Sequence, residues 1–194
     1  MVPLPEFKMP EAETSLRLAF FLLQNRLANI VEVAIDGAQV KTLAQVHFQI
    51  GEFMVESQCE HCEPFNGGWS GNYRHVPSGG TLRIHSKPGL GDVTAVLADG
   101  RTFRAESKKG PLVSSQSSQE YPLLREALGQ LLTISEVGET DVLAVAVPHS
   151  DKFTKLAEQW RKAPLIHRVG IKILTVERKN IVHGLDPSMD DLRE

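Results

Sequence analysis

Gly91-Asp92-Val93-Thr94-Ala95-Val96-Leu97-Ala98-Asp99-Gly100-Arg101-Thr102-Phe103-Arg104-Ala105-Glu106-Ser107-Lys108 is the stretch on which the fold turns. Two alternating runs flank Ala98-Asp99-Gly100, which reads as a three-residue hairpin loop, a type I turn with Gly100 in the left-handed position. That loop sets Leu97 opposite Arg101 and, counting outward, Asp92 opposite Glu106. Side chains alternate along a strand, so one face carries Asp92, Thr94, Thr102, Arg104, Glu106 and Lys108. The other carries Val93, Ala95, Leu97, Phe103 and Ala105, and belongs in a core.

Two carboxylates directly across a ladder repel. Such a pair persists where a cation sits between them or where the face is well solvated. Lys108, diagonal to Asp92, is one such cation; a divalent metal is the sharper alternative, and hard oxygen ligands with room for water and phosphate suit Mg²⁺. A metal there polarises a phosphoryl oxygen and activates water, while Lys108 stabilises negative charge or assists the nucleophile. The same residues also fit an exposed hairpin with ordinary salt bridges.

Outward from the hairpin, Thr81–His85 reads as a strand, Ser114–Gln119 as a polar linker and Glu120–Ile134 as a helix with Pro122 in its first turn. That helix is expected over the face of Val93, Leu97 and Phe103. Val142–Val147 is a fully apolar, buried strand; Ser150 or Asp151 caps a helix through Lys162; Val169–Val176 is a further strand, followed by a turn at Arg178-Lys179-Asn180. Upstream, Pro-rich residues 1–10 are extended. Glu11–Ile30 has helical spacing, and Val31–Glu56 looks strand-like around a turn at Asp36-Gly37. Residues 57–80 read as a loop-rich insertion. The expected fold is α/β, with a central mixed sheet flanked by helices. Residues 1–80 form an N-terminal β-rich elaboration of one domain, 81–183 its core and 184–194 an acidic, frayed tail.

Asp92, then Glu106-Ser107-Lys108 across a hairpin, then a helix packing back, resembles the PD-(D/E)XK nuclease superfamily. The resemblance covers about Thr81 to Val147, with Glu11–Ile30 as first helix, and implies a restriction-endonuclease-like core of helix, three strands, helix and strand. It implies that Asp92 and Glu106 ligate the metal, that the main-chain carbonyl of Ser107 joins them, and that Lys108 acts in catalysis. Several branches place a Gln on the following helix near the metal. Gln130 matches, beside the stripe of Leu123, Ala127 and Ile134, although Ile134 stands where those branches often have Tyr. Gly91 stands where Pro is usual. A first-helix acid, Glu11 or Glu13, often joins such a site; at a helix start it equally favours the helix dipole.

Composition bounds the rest. The chain has 194 residues, with 21 Lys and Arg against 24 Asp and Glu and a net charge of −3, which excludes a basic nucleic-acid coat. Between Asn72 and Lys109 the balance is locally basic, through Arg74, Arg83, Lys87, Arg101, Arg104, Lys108 and Lys109. The apolar run Leu16–Leu23 is too short and too polar to span a bilayer. With two cysteines and no signal pattern, a cytoplasmic setting is expected and no membrane partner. Cys59-x-x-Cys62 has metal-ligand spacing but lacks a second pair; His61, His75 or His85 would have to complete a structural Zn²⁺ site, which is not the favoured reading. Trp69 and Tyr73, near Arg74, either contact bases or pack under their loop. His149 reads as a loop residue rather than a base.

The sequence therefore leads to the expectation of a Mg²⁺-dependent DNA nuclease in which Mn²⁺ substitutes, acting in restriction, phage defence or repair. Its partners would be DNA and a second copy or a larger complex. The rival readings are a non-catalytic nuclease-fold subunit that binds DNA or a partner, and a zinc-stabilised module around Cys59 and Cys62.

Overall fold

The central hairpin forms in the expected register. Val93 pairs with Ala105 and Val96 with Thr102, Leu97 N donates to Arg101 O at 2.8 Å, and Gly100 takes φ 89°. The structure is a computed structural model that describes residues 4–43, 45–63, 68–87, 89, 91–113 and 119–186. Most of the expected 114–119 linker and residues 187–194 of the acidic tail lie outside the described residues.

In chain order the elements are β1 (Lys8–Met9), α1 (Glu11–Gln24), β2 (Ala28–Ala34), α2 (Gly37–Val40), β3 (Lys41–Thr42) and β4 (Gln45–Val46). They continue with α3 (Ile50–Glu56), β5 (Cys59–His61), β6 (Gly71–His75), β7 (Thr81–His85), β8 (Val93–Leu97), β9 (Thr102–Ser107) and β10 (Gly110–Pro111). The C-terminal third is α4 (Glu120–Leu131), β11 (Val142–Pro148), α5 (Asp151–Arg161), α6 (Pro164–Val169), β12 (Lys172–Val176) and β13 (Val182–His183). Nine strands form one mixed sheet in the order β13-β12-β11-β9-β8-β2-β7-β6-β5. β11 runs parallel to β9 and β12, β2 runs parallel to β7, and the other neighbours are antiparallel. The fold is α/β with a large mixed sheet flanked by helices.

The first helix is shorter than its apolar spacing suggests. Arg26 adopts φ 57° and Leu27 N bonds back to Leu22 O, a left-handed helix terminus. Ala28–Ala34 then enters the sheet centre, between β7 and β8. Helical spacing at Leu27 and Ile30 disguised this strand. Further readings are corrected. Ile50 begins α3 rather than ending a strand, and residues within 57–80 form β5 and β6 at the sheet edge. Asp36-Gly37 starts a helical turn, Asp36 Oδ1 accepting from Ala38 N, instead of closing a hairpin. Val169, read as the start of a strand, instead closes the short helix Pro164–Val169, ended by Gly170 at φ 77°, and the strand begins at Lys172.

The two sheet faces are covered by different helices. Val93, Ala95, Leu97, Phe103 and Ala105 share a core with Leu16, Ala19, Phe20 and Leu23 of α1. The covering helix on that face is α1, not α4. On the opposite face Leu124, Ala127 and Leu131 of α4 pack with Val145, Val147 and Ile173 and with Phe153 of α5. The Ser150 hydroxyl caps α5 by accepting from Phe153 N. α4 and α5 thus cover the β11–β12 side of this face. Over β2, β8 and β9 the same face opens into a cavity of about 600 Å³, lined by Ile30, Glu32, Arg83, Thr94, Val96 and Arg104 among others. Among the described residues no helix is long and apolar enough to cross a membrane.

Candidate active site

Asp92 stands at the entrance of β8. Its carbonyl accepts from Ala34 N at 2.9 Å, and its Oδ2 accepts from Ser107 N at 2.8 Å. Gly91 before it takes φ 131°, and a Cβ there would lie 3.1 Å from Ala105 O. Proline, locked near φ −65°, cannot adopt this backbone, so the departure from the usual motif has a local cause. Glu106 lies across the ladder, one register step beyond the Val93–Ala105 pair.

Lys108 follows β9. Its N–H donates to Ala146 O at 2.9 Å and its carbonyl accepts from the Thr14 hydroxyl at 3.3 Å. The side chain is buried, and its Nζ lies 3.3 Å from Glu126 Oε1 and 3.7 Å from Glu11 Oε1. Glu11 is held in turn by Gln39 Nε2 at 2.8 Å. Of the two first-helix acids, Glu11 therefore joins the cluster. Glu13 turns elsewhere, to Arg17 at 2.7 Å and Arg178 at 3.1 Å. The Ser107 side chain is fully buried on the α1 side of the sheet, so only its backbone is available to the site.

Electrostatics mark the cluster as short of positive charge. Burial pushes Asp92 up to about 6; Glu11 adds to this, while Ser107 N–H and Lys108 oppose it. Burial pushes Glu106 up to about 7, helped by Asp92 and Glu11 and opposed by Lys108. Asp92, Glu106 and Glu11 gather around the Lys108 ammonium, with Glu126 at the rim. Carboxylate oxygens in this excess are the donor set of a hard divalent cation, and such a cation would relieve the repulsion. Asp92 and Glu106, with the Ser107 carbonyl, are the residues that would hold it. A cavity of about 420 Å³ opens on the pair, lined also by Asp36, Gln39 and Lys87. A third cavity, lined by Glu32, Gly91, Thr94 and Arg104, shares lining residues with this one and with the large sheet-face cavity.

Gln130 is exposed near the end of α4, whereas Glu126, one turn earlier on the same face, reaches Lys108. The i, i+4 spacing of these two residues was the available signal for Glu126. Gln39 carried no such signal, because its placement depends on the α2 turn. Cys59 is buried, with burial pushing its thiol up to about 12, while Cys62 is exposed. Neither cysteine gathers with histidines into a metal-binding group among the described residues. Trp69 packs, partly buried, against the core and its carbonyl accepts from the hydroxyl of buried Tyr73 on β6 at 2.8 Å. No protein-family model, curated protein or solved structure matches the chain.

Proposed function

We propose that the chain is a Mg²⁺-dependent nuclease of the PD-(D/E)XK type, hydrolysing DNA phosphodiester bonds in restriction, phage defence or repair. The observation that carries this reading is the convergence of Asp92, Glu106, Lys108 and Glu11 at one end of the sheet, both strand carboxyls pushed toward neutrality. The order of elements supports it. Helix, three strands, helix and strand are supplied by α1, β2, β8, β9, α4 and β11, with the four strands adjacent in the sheet. The first core strand is then β2 rather than Thr81–His85.

Asp92 and Glu106 would hold Mg²⁺ or Mn²⁺, which would supply Lewis-acid stabilisation of the phosphoryl oxygens and lower the pKa of an attacking water. Lys108, fixed by Glu11 and Glu126, contributes a positioned positive charge against the charge that grows on the phosphate. The sheet-face cavity favours a nucleic-acid substrate, because strand alternation puts Arg74, Arg83 and Arg104 on its face of the sheet. Arg83 and Arg104 are held by Glu32 and Asp141, so phosphate binding there requires exchange of partners.

The test is cleavage of plasmid and linear DNA with Mg²⁺ or Mn²⁺, at two salt concentrations. Glu106→Gln should remove metal-induced thermal stabilisation together with cleavage. Lys108→Ala should keep the stabilisation and lose about 10²–10³-fold in rate, a loss that low salt does not rescue. Absence of both cleavage and metal stabilisation in the unaltered protein would favour the non-catalytic DNA- or partner-binding subunit.

A further inference from the structure

A second cluster lies on the same sheet face, at the carboxyl ends of the parallel strands β11 and β12. His149 follows β11, Glu177 follows β12, and His183 belongs to β13, which pairs back so that His183 faces Thr175. One ligand atom from each of the three residues lies within 4.8 Å of the others. His183 Nε2 is 2.6 Å from Glu177 Oε1, and the His149 and His183 rings stack with centroids 4.4 Å apart. Two imidazoles and a carboxylate on three neighbouring strand ends form a ligand set of borderline softness with an open side.

We propose that His149, Glu177 and His183 bind one transition-metal ion of the Zn²⁺ class, with a fourth position open to solvent. The supporting residues resemble those that orient metal-bound imidazoles elsewhere. Buried Thr175 holds His149 Nδ1 at 2.9 Å through its hydroxyl, leaving Nε2 to coordinate. His149 N–H donates to Val176 O at 2.8 Å, tying the ligand's backbone to β12. The Glu177 backbone closes the β12–β13 turn by donating to Ile181 O at 2.8 Å and accepting from Asn180 N at 3.1 Å. All three ligands therefore sit on hydrogen-bonded backbone, as a preorganised site requires. A tetrahedral ion with bonds near 2.0–2.1 Å wants its ligand atoms about 3.3 Å apart, so a small opening of the Glu177–His183 contact admits it.

Exposed side chains at His183 and Glu177, 43% and 30%, leave the ion an entry path. This site is separate from the acidic one. The acidic residues stand on or beside α1, β8 and β9, whereas these three follow β11 and β12 or belong to β13, so the two sites share no side chain. The inference does not rest on the nuclease reading. An ion here would pin β13 and the turn carrying Arg178, which bonds Glu13 and the carbonyls of Pro5 and Lys8.

The experiment is titration of the chelator-treated full chain with Co²⁺, followed by competition with Zn²⁺. One equivalent of Co²⁺ should give the intense visible absorption of a four-coordinate N/O site, which hard octahedral sites do not give. His149→Ala and His183→Ala should each weaken binding by more than about 100-fold, and Thr175→Val by about 10–100-fold. Glu106→Gln and the double variant Cys59→Ser/Cys62→Ser should leave the signal intact. Absence of the absorption in the unaltered protein, or its survival in His149→Ala and His183→Ala with circular dichroism unchanged, would overturn the proposal. So would its loss in the cysteine variant.

Discussion

Ser107 divides its chemistry between two sides of the sheet. Its backbone N–H holds Asp92, while its hydroxyl is buried beneath α1 with no hydrogen-bond partner among the described residues. A buried unpaired hydroxyl destabilises, so Ser107→Ala should be neutral or stabilising by up to about 1–3 kcal/mol in urea denaturation and leave cleavage unchanged. A large loss of activity would assign the side chain a role that its burial denies. Asp92 and Glu106 predict an unusual pH dependence. Both hold their protons to higher pH in the folded protein than in the unfolded chain, so the unfolded state binds fewer protons between about pH 4 and 7. Their contribution to stability is therefore full below that window and lost as pH rises through it, by about 1–3 kcal/mol after screening of these partly exposed groups. His75 and His149, held below the usual imidazole range, act with the opposite sign near pH 6. The quantity to measure is thus the difference in melting temperature between the unaltered protein and Glu106→Gln without metal. It should shift in favour of the variant from pH 5 to pH 8, and Mg²⁺ should reverse it.

At the scale of elements, α4 is the informative case. Its apolar residues Leu124, Ala127 and Leu131 pack on β11, and Glu126 reaches past β9 to Lys108. Glu126→Gln should cost about 0–1 kcal/mol, since the carboxylate is largely exposed, yet lower cleavage by loosening Lys108. Gln130→Ala should stay within about 0.5 kcal/mol with cleavage unaltered, as both assays run side by side will show. The β8–β9 hairpin was legible because Asp99-Gly100 fixes the register, and one register fixes every facing pair. The apolar run Val142–Val147 and the Ser150 cap announced β11 and α5 equally clearly. What stayed hidden was decided by contacts distant in sequence. Ala28–Ala34 continues the helical spacing of α1, and only the left-handed Arg26 and pairing on both sides make it a strand. Val46, Phe48 and Ile50 alternate like a strand, but Phe48 and Ile50 are buried against the α1 core by a turn and a helix. β5 and β6 were obscured by glycines; Gly71, at φ 152°, leaves room for the His61 ring where a Cβ would collide.

Across the whole molecule, Arg178 fastens the last hairpin to the first residues of the chain. Its guanidinium reaches both oxygens of fully buried Glu13, at 3.1 and 3.3 Å, and the carbonyls of Pro5 and Lys8. Arg178→Ala should cost about 1–3 kcal/mol in urea denaturation, because Glu13 would keep Arg17 alone, and Arg178→Lys should restore only part of it. The N-terminal segment is anchored a second time where β1 pairs with β10. The same long-range logic governs the sheet centre. Val31 of β2 pairs with Leu82 on one side and with Ala95 on the other. β2 leaves the ribosome well before either neighbour, so a strand with Val31 and Val33 uncovered must wait in a partly made chain. Closing those loops before any pairing rewards them makes folding slow, and it exposes an aggregation-prone edge during synthesis. The centre of this sheet is therefore made early and completed only after β7 and β8 have followed it, and dependence on a chaperone during translation is the natural consequence.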